Sequence, residues 1–223
     1  KGLSHQWVVA WLEFGKIYQQ VYSASGEMRS ICFPVNYEFR ISTYAIAGSQ
    51  TFPIVFVLPD QGWMVGWTSD GQDGSGWGIA QQRYRADGGR VRGESPVNDY
   101  SISNQGYLKS AVLRDGNWFL MWTSYPQEIG ASLWWQRGRL YSVDGSALTE
   151  ELQIATDYYG ESQLTALSDG GWLVVWLEAV FSHSFNGTLT YGRRYYTEST
   201  MLNSTEFLIA NSSSVERDLR AVT

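Results

Sequence analysis

The chain has 223 residues, a formal net charge of -6 and 15% aromatic residues, and only 17% of its residues are charged. An average globular domain has about 25% charged residues, so this composition excludes a disordered chain and a long-helix or coiled-coil protein. The acidic balance argues against a nucleic-acid partner, which needs clustered Lys and Arg. No apolar run approaches the roughly 20 residues of a membrane span.

A Trp-x-x-x-Trp motif occurs four times, and the first tryptophans of successive motifs stand 56, 55 and 54 residues apart. The motifs are Trp7/Trp11, Trp63/Trp67, Trp118/Trp122 and Trp172/Trp176. A tyrosine before a small turn follows each motif, at Tyr22, Tyr84, Tyr141 and Tyr196. A fixed internal period is the signature of a repeat architecture, so the sequence predicts four units of about 55 residues.

Each unit is predicted to contain short strands, and the third unit shows the pattern best. Its predicted strands are 108–113, 118–124, 133–142 and 151–156, with the turns RDGN and VDGS inside the two hairpins. Asp-Gly and Gly-Asn pairs are typical of β-hairpin turns. No long segment has the helical 3.6-residue period, so almost no helix is expected.

The second strand of a unit is apolar on both faces, as in 172–177. Such a strand belongs in a sheet that is covered on both sides. Four such sheets predict a single all-β domain, a four-bladed β-propeller. The predicted blades are 1–48 with 218–223, 49–102, 103–157 and 158–217. The segment 218–223 either closes the ring by completing the first blade or pairs with the next molecule in a head-to-tail filament.

The second unit, GWMVGWTSDGQDGSGWGIAQQRYRADGGRV, resembles the repeats of very large secreted bacterial surface proteins of the RTX, adhesin-like type. The Asp-Gly-Gly that precedes the Trp strand in those repeats returns at Asp169-Gly170-Gly171. The resemblance implies an extracellular or cell-surface location, a role in adhesion and calcium-rich surroundings. It implies no catalytic residues.

An acidic loop in the second unit is a candidate calcium site. Asp70, Asp73 and Ser75 offer hard oxygen ligands at near-alternating positions in the run DGQDGSG. The loop has no later bidentate Glu of the EF-hand kind, and Asp-Gly pairs are also ordinary turn formers. Calcium is the one cofactor that the sequence suggests.

Three tryptophans fall outside the repeated motif, and they are candidates for stacking on sugar rings. Trp77, Trp134 and Trp135 stand at the starts of third strands, next to loops of variable length. Variable loops on a rigid scaffold are common binding sites. Packing at a sheet edge also explains the same residues. The other eight of the 11 tryptophans are assigned to packing between blades.

Catalysis has little support in the sequence. Glu13 and Glu178 follow the Trp strands at equivalent positions, and paired carboxylates are the equipment of glycosidases. Solvation of strand ends explains them as well. No Gly-x-Ser-x-Gly elbow is present, His5 and His183 stand alone, and Cys32 lies in an apolar run typical of a buried structural thiol.

Three N-glycosylation sequons lie in the last forty residues, at Asn186, Asn203 and Asn211. In a eukaryotic protein they would mark an exposed, glycosylated side. The sequence as a whole predicts a non-enzymatic extracellular module for adhesion or assembly, with the repeating subunit of a surface filament as one form of it. A carbohydrate-binding lectin is the alternative, and a glycoside hydrolase ranks third. The expected partners are glycans, other surface proteins or copies of the same chain.

Overall fold

The computed structural model describes residues 6–29, 39–40, 48–125, 134–181, 186–198 and 201–212. All regular elements in these ranges are strands: β1 (Gln6–Glu13), β2 (Lys16–Ser23), β3 (Phe39–Arg40), β4 (Gln50–Val57), β5 (Trp63–Asp70), β6 (Trp77–Tyr84), β7 (Ser95–Pro96), β8 (Gln105–Val112), β9 (Trp118–Ser124), β10 (Trp134–Tyr141), β11 (Leu152–Ala166), β12 (Trp172–Phe181), β13 (Asn186–Glu198) and β14 (Met201–Ser212). Within these ranges, no helix has the length and apolar character needed to cross a membrane.

The chain divides into two compact units, Lys1–Leu108 and Lys109–Thr223. The first unit contains the sheets β1-β2-β3 and β4-β5-β6-β7, which carry the first two repeats. Neighbouring strands are antiparallel in both sheets. The Trp strands β1 and β5 each pair with the following strand along their whole length.

The third and fourth repeats form one antiparallel sheet of seven strands, in the order β14-β13-β12-β11-β10-β9-β8. β11 is 15 residues long and belongs to both repeats. Its first part pairs with β10 and its last part pairs with β12. A break after residue 156 was expected, but the connecting residues 157–161 contain no Pro and no Asp-Gly pair, so nothing stops the extended backbone.

The first hairpin turn of the second, third and fourth repeats has one recurring design. The carboxylate of Asp60, Asp115 or Asp169 accepts a hydrogen bond from the backbone N–H two residues later, at 3.0 Å in each case. The residue between them adopts a positive φ, which is 89° at Gly116 and 92° at Gly170. Gln61 occupies this position in the second repeat with a φ of 66°.

We expect Gln61→Gly to stabilise the protein by about 0.5–1 kcal/mol. A left-handed conformation costs a non-glycine residue roughly 1–2 kcal/mol, and the greater unfolded-state entropy of glycine offsets part of that gain. The melting temperature should rise by about 1–4 °C. The matched control is Gly170→Gln, which should lower the melting temperature by a similar amount. A Cβ at this position meets nothing within 4 Å, so the only added cost is that of a side chain at a positive φ. An unchanged melting temperature for Gln61→Gly would contradict this account.

A stacked Trp–Tyr pair connects the second and third strands of every repeat. The first tryptophan of each motif pairs in register with a tyrosine across the sheet. The ring centroids are 4.0 Å apart for Trp7–Tyr22, 5.3 Å for Trp63–Tyr84, 5.8 Å for Trp118–Tyr141 and 5.3 Å for Trp172–Tyr195. The fourth tyrosine is therefore Tyr195, and the prediction of Tyr196 was wrong by one residue. Side chains alternate along a strand, so Tyr196 lies on the opposite face.

The tryptophan face of one repeat packs on the preceding repeat within each unit. In the first unit, Trp63 and Trp67 share a buried core with Ile17 and Val21 of β2. In the second unit, the core that contains Trp172 and Trp176 also contains Phe119 and Met121 of β9. The predicted packing role of these motif tryptophans is confirmed for both pairs of repeats. Burial of such large aromatic side chains is the main favourable contribution to the folded state.

The predicted fold class, all-β with four antiparallel repeats, is confirmed, and the repeats fit a four-bladed β-propeller. Strand β9 has the bounds predicted for it, 118–124. The segment 218–223, predicted to complete the first blade, lies outside the described residues. The predicted blade boundaries and the single domain stay predictions.

Candidate functional site

The loop between β5 and β6 brings together four residues that the sequence singled out. Asp70, the last residue of β5, pairs in register with Trp77, the first residue of β6. Between them, Asp73 Oδ1 accepts a hydrogen bond from the backbone N–H of Ser75 at 3.2 Å. The candidate calcium ligands and one candidate sugar-stacking residue therefore share a single loop of the first unit.

A buried asparagine holds this loop in place. Asn98 Nδ2 donates to Asp73 Oδ2 at 2.8 Å and to Gln105 Oε1 at 3.3 Å. Its Oδ1 accepts from the backbone N–H of Ile79 at 2.7 Å. Nothing local in the sequence marks Asn98. Two of its partners, Ile79 and Asp73, are 19 and 25 residues away along the chain. Asn98 therefore fixes the position of the Asp73 carboxylate.

The described residues contain no group of three or more His, Cys, Asp or Glu side chains that could hold a metal ion. Both carboxylate oxygens of Asp73 accept hydrogen bonds from the protein. The carboxylate also lies against Gly78, where a Cβ would collide with it. These contacts give Asp73 a role in organising the loop, and calcium binding at Asp70, Asp73 and Ser75 stays a prediction.

Trp134 and Trp135 lie on opposite faces of β10, because adjacent side chains in a strand alternate. Trp134 packs against the core of the second unit and against Tyr125, with ring centroids 5.2 Å apart and planes inclined at 59°. Trp77 has the position in the second repeat that Trp134 has in the third, because each is the first residue of the third strand of its repeat. The structure therefore separates the side chains of the two adjacent candidates.

Trp135 belongs to a compact arrangement of aromatic and charged side chains. The guanidinium carbon of Arg137 lies 5.1 Å from the centroid of the Trp135 ring, within the range of a cation–π contact. Arg137 Nη1 donates to Glu151 Oε1 at 2.8 Å, and the two side chains are only 15% and 6% exposed. The ion pair is thus largely removed from water, and it holds the guanidinium over the half-buried indole. Cation, carboxylate and aromatic face are combined in one place, although Glu151 is 14 residues from Arg137 along the chain.

The two carboxylates considered as a glycosidase pair lie in different units. Glu13 is in register with Lys16 on the neighbouring strand, and Glu178 is in register with Leu189. Burial raises the pKa of Tyr191, and the nearby carboxylate of Glu178 raises it further. The pairing of Glu13 with Glu178 stays a prediction. His5, His183 and Cys32 lie outside the described residues.

Of the three sequons, two have described side chains, and both lie on β14. Asn211 is exposed, whereas Asn203 is half-buried and in register with Tyr196. The side chain of Asn186, the first residue of β13, is outside the described part of the structure. Glycosylation at these positions stays a prediction.

Two exposed aromatic residues were not among the sequence candidates. Phe52 and Tyr107 are the third residues of β4 and β8, the first strands of the second and third repeats. A signal was present: Gln50-x-Phe52 and Gln105-x-Tyr107 recur at a distance of 55 residues. The pattern does not reveal exposure, because a strand aromatic is ordinarily a core residue.

Comparison with known proteins returns no matching family model and no matching curated protein. Two solved structures are similar in part. An endo-arabinase from Bacteroides thetaiotaomicron has a TM-score of 0.47 and 10% sequence identity, and the similarity covers 95% of this chain and 92% of that one. A thermostable family-43 glycoside hydrolase has a TM-score of 0.42 and 12% identity, covering 87% of this chain and 72% of that one.

These comparisons overturn two predictions. The chain was expected to be a non-enzymatic adhesion or assembly module, and therefore not an enzyme, but both similar structures are named as carbohydrate-cleaving enzymes. Neither prediction is kept. No adhesin-type repeat protein is among the matches described, so the RTX resemblance has no support beyond the second unit's own sequence. At these similarities the names describe those two proteins and assign no activity to this chain.

Proposed function

We propose that this chain acts on carbohydrate and holds a sugar at Trp135. The observation that carries the proposal is the arrangement of Trp135, Arg137 and Glu151. Sites for small polar molecules combine an apolar or aromatic wall with a few fixed polar groups. An indole supplies the flat apolar wall, and the buried ion pair holds that wall in one orientation.

The chemistry of the three side chains suits a neutral sugar. The C–H face of a sugar ring is apolar and packs on an indole, whereas its hydroxyl groups lie at the ring edge and need hydrogen-bond partners. Arg137 and Glu151 bind each other and are largely buried, so they hold the indole in place rather than face the ligand. Their charges cancel, which favours hydroxyl groups over a charged substituent.

The position of Trp135 supports the same interpretation. Trp135 is the second residue of β10, next to the connection from β9, and connections on a rigid sheet commonly carry binding residues. Trp134, the adjacent residue, packs into the core and makes β10 rigid at this point. A fixed strand end lowers the entropy that a ligand contact must overcome.

Trp135→Ala is expected to weaken sugar binding about tenfold, which corresponds to about 1.4 kcal/mol. The measurement is titration calorimetry against arabinan, xylan, galactan and a neutral β-glucan, with polygalacturonate as the acidic comparison. Release of reducing ends from the same polysaccharides shows whether the bound chain is cleaved. Trp7→Ala is the control, because Trp7 is a half-exposed tryptophan of the first unit. Unchanged affinity in Trp135→Ala, or no binding to any of these polysaccharides, would refute the proposal.

A further inference from the structure

Phe52 and Tyr107 form an exposed aromatic pair in the first unit. Their ring centroids are 6.2 Å apart and their planes are inclined at 28°. The two residues are 63% and 56% exposed. Burial of large aromatic side chains stabilises a protein, so a stacked aromatic pair with most of its surface exposed to water is unusual.

Both residues also hold a backbone conformation that is unfavourable for a side chain. φ is 51° at Phe52 and 53° at Tyr107. Left-handed conformations are uncommon outside Gly, Asn and Asp, and they are stored preferentially at functional sites. Two such conformations at equivalent positions of successive repeats put both rings on the same exposed patch. An irregularity in the pairing of β4 with β5, between Thr51 and Ile54, accompanies the conformation of Phe52.

Fixed polar groups lie beside the pair. Gln105, two residues before Tyr107, is buried and receives the hydrogen bond from Asn98, which also holds the Asp73 carboxylate. Gln105 Nε2 donates in turn to the backbone carbonyl of Ile102 at 3.1 Å. A hydrogen-bonded chain therefore runs from the acidic loop of β5 and β6 to the backbone that carries Tyr107. These hydrogen bonds fix the backbone that leads to Tyr107.

We propose that Phe52 and Tyr107 are a second carbohydrate contact, a two-ring platform for the apolar face of a neutral sugar chain. Both residues are more than half exposed, so the pair offers two aromatic contacts to an extended chain of sugar units. The backbone N–H of Asp70 donates to the carbonyl of Ser49 at 2.9 Å, three residues before Phe52, so a carboxylate stands at this strand end and disfavours uronate and phosphate groups. The ligand class rests on the proposed function, but the residues are different and lie in the other unit.

The test uses variants that separate ring loss from misfolding. Phe52→Gly and Tyr107→Gly remove the ring and relieve the unfavourable φ at the same time. Each should weaken binding of short neutral xylo- and arabino-oligosaccharides about tenfold, while the melting temperature stays the same or rises by about 2–4 °C. The conservative exchanges Phe52→Tyr and Tyr107→Phe keep a ring at each position and should retain the affinity. Calorimetry against an oligogalacturonate of the same length tests the ligand class.

The outcomes separate this platform from the site at Trp135. Full affinity in both glycine variants, or tighter binding of the oligogalacturonate than of the neutral chains, overturns the platform. If the glycine variants lose affinity and Trp135→Ala keeps it, the platform stands and the Trp135 site falls. If the unaltered chain binds none of the oligosaccharides, both proposals fall together.

Discussion

Trp63→Ala is expected to lower the free energy of unfolding by about 3–5 kcal/mol, the usual cost of truncating a fully buried aromatic side chain. Trp63 is 1% exposed and stacks on Tyr84. Its Nε1 donates a hydrogen bond to Gln19 Oε1 at 2.8 Å, so the variant also leaves a buried acceptor without its donor. Urea unfolding, followed by tryptophan fluorescence, measures the loss. The total free energy of unfolding of a domain is about 5–15 kcal/mol, so partial unfolding of the variant at 37 °C should be detectable.

Trp7→Ala is the matched control. Trp7 has the same place in the repeat and stacks on Tyr22 in the same way, but it is 44% exposed. Loss of a half-exposed ring removes less apolar contact, so a cost of about 1 kcal/mol is expected. Equal losses in the two variants would show that local stacking, rather than burial between repeats, provides the stability.

Glu151→Ala is expected to cost about 3 kcal/mol, because it leaves the largely buried guanidinium of Arg137 without its carboxylate. The double variant Glu151→Leu/Arg137→Met should recover most of this loss, since well-packed apolar side chains commonly replace a buried ion pair without large cost. A thermodynamic cycle over Glu151→Leu, Arg137→Met and the double variant gives the coupling between the two groups. A coupling near zero would contradict the proposed role of the pair.

An exposed ion pair provides the control for that cycle. Arg85 and Asp87 lie 3.7 Å apart, and their side chains are 58% and 67% exposed. Exposed pairs contribute about 0–1 kcal/mol, so Arg85→Met should change the free energy of unfolding by less than about 0.5 kcal/mol. Raised salt should weaken this surface pair and leave the Arg137–Glu151 coupling nearly unchanged, because buried charges are screened less.

The repeats could be predicted because their signals are local. The Asp-Gly turns, the Trp motifs and the bounds of β9 follow from a few neighbouring residues. The continuity of β11 has no comparable signal, since it depends on which strands pair with each half. The incorrect prediction of Tyr196 in place of Tyr195 has the same origin. Only the cross-strand register decides which of two adjacent tyrosines pairs with Trp172.

The candidate site was predictable to the extent that its residues are contiguous. Asp70, Asp73, Ser75 and Trp77 share one hairpin loop, so their proximity follows from the chain itself. The contribution of Asn98 could not be predicted, because it depends on partners that are distant along the chain. The exposure of Phe52 could not be predicted either, because it accompanies a backbone conformation that the sequence does not specify. The opposite orientation of Trp134 and Trp135 required only the alternation of a strand, once β10 was placed.

The shared strand β11 has a consequence for cooperativity. Among the described strands, the sheets of the first and second repeats have no strand in common, and the two repeats are joined by their shared core instead. The third and fourth repeats cannot lose their strand pairing independently, because loss of β11 removes a pairing partner from β10 and from β12 at once. Slow amide exchange in these two repeats should therefore share a single opening free energy, as expected for one cooperative folding unit rather than two.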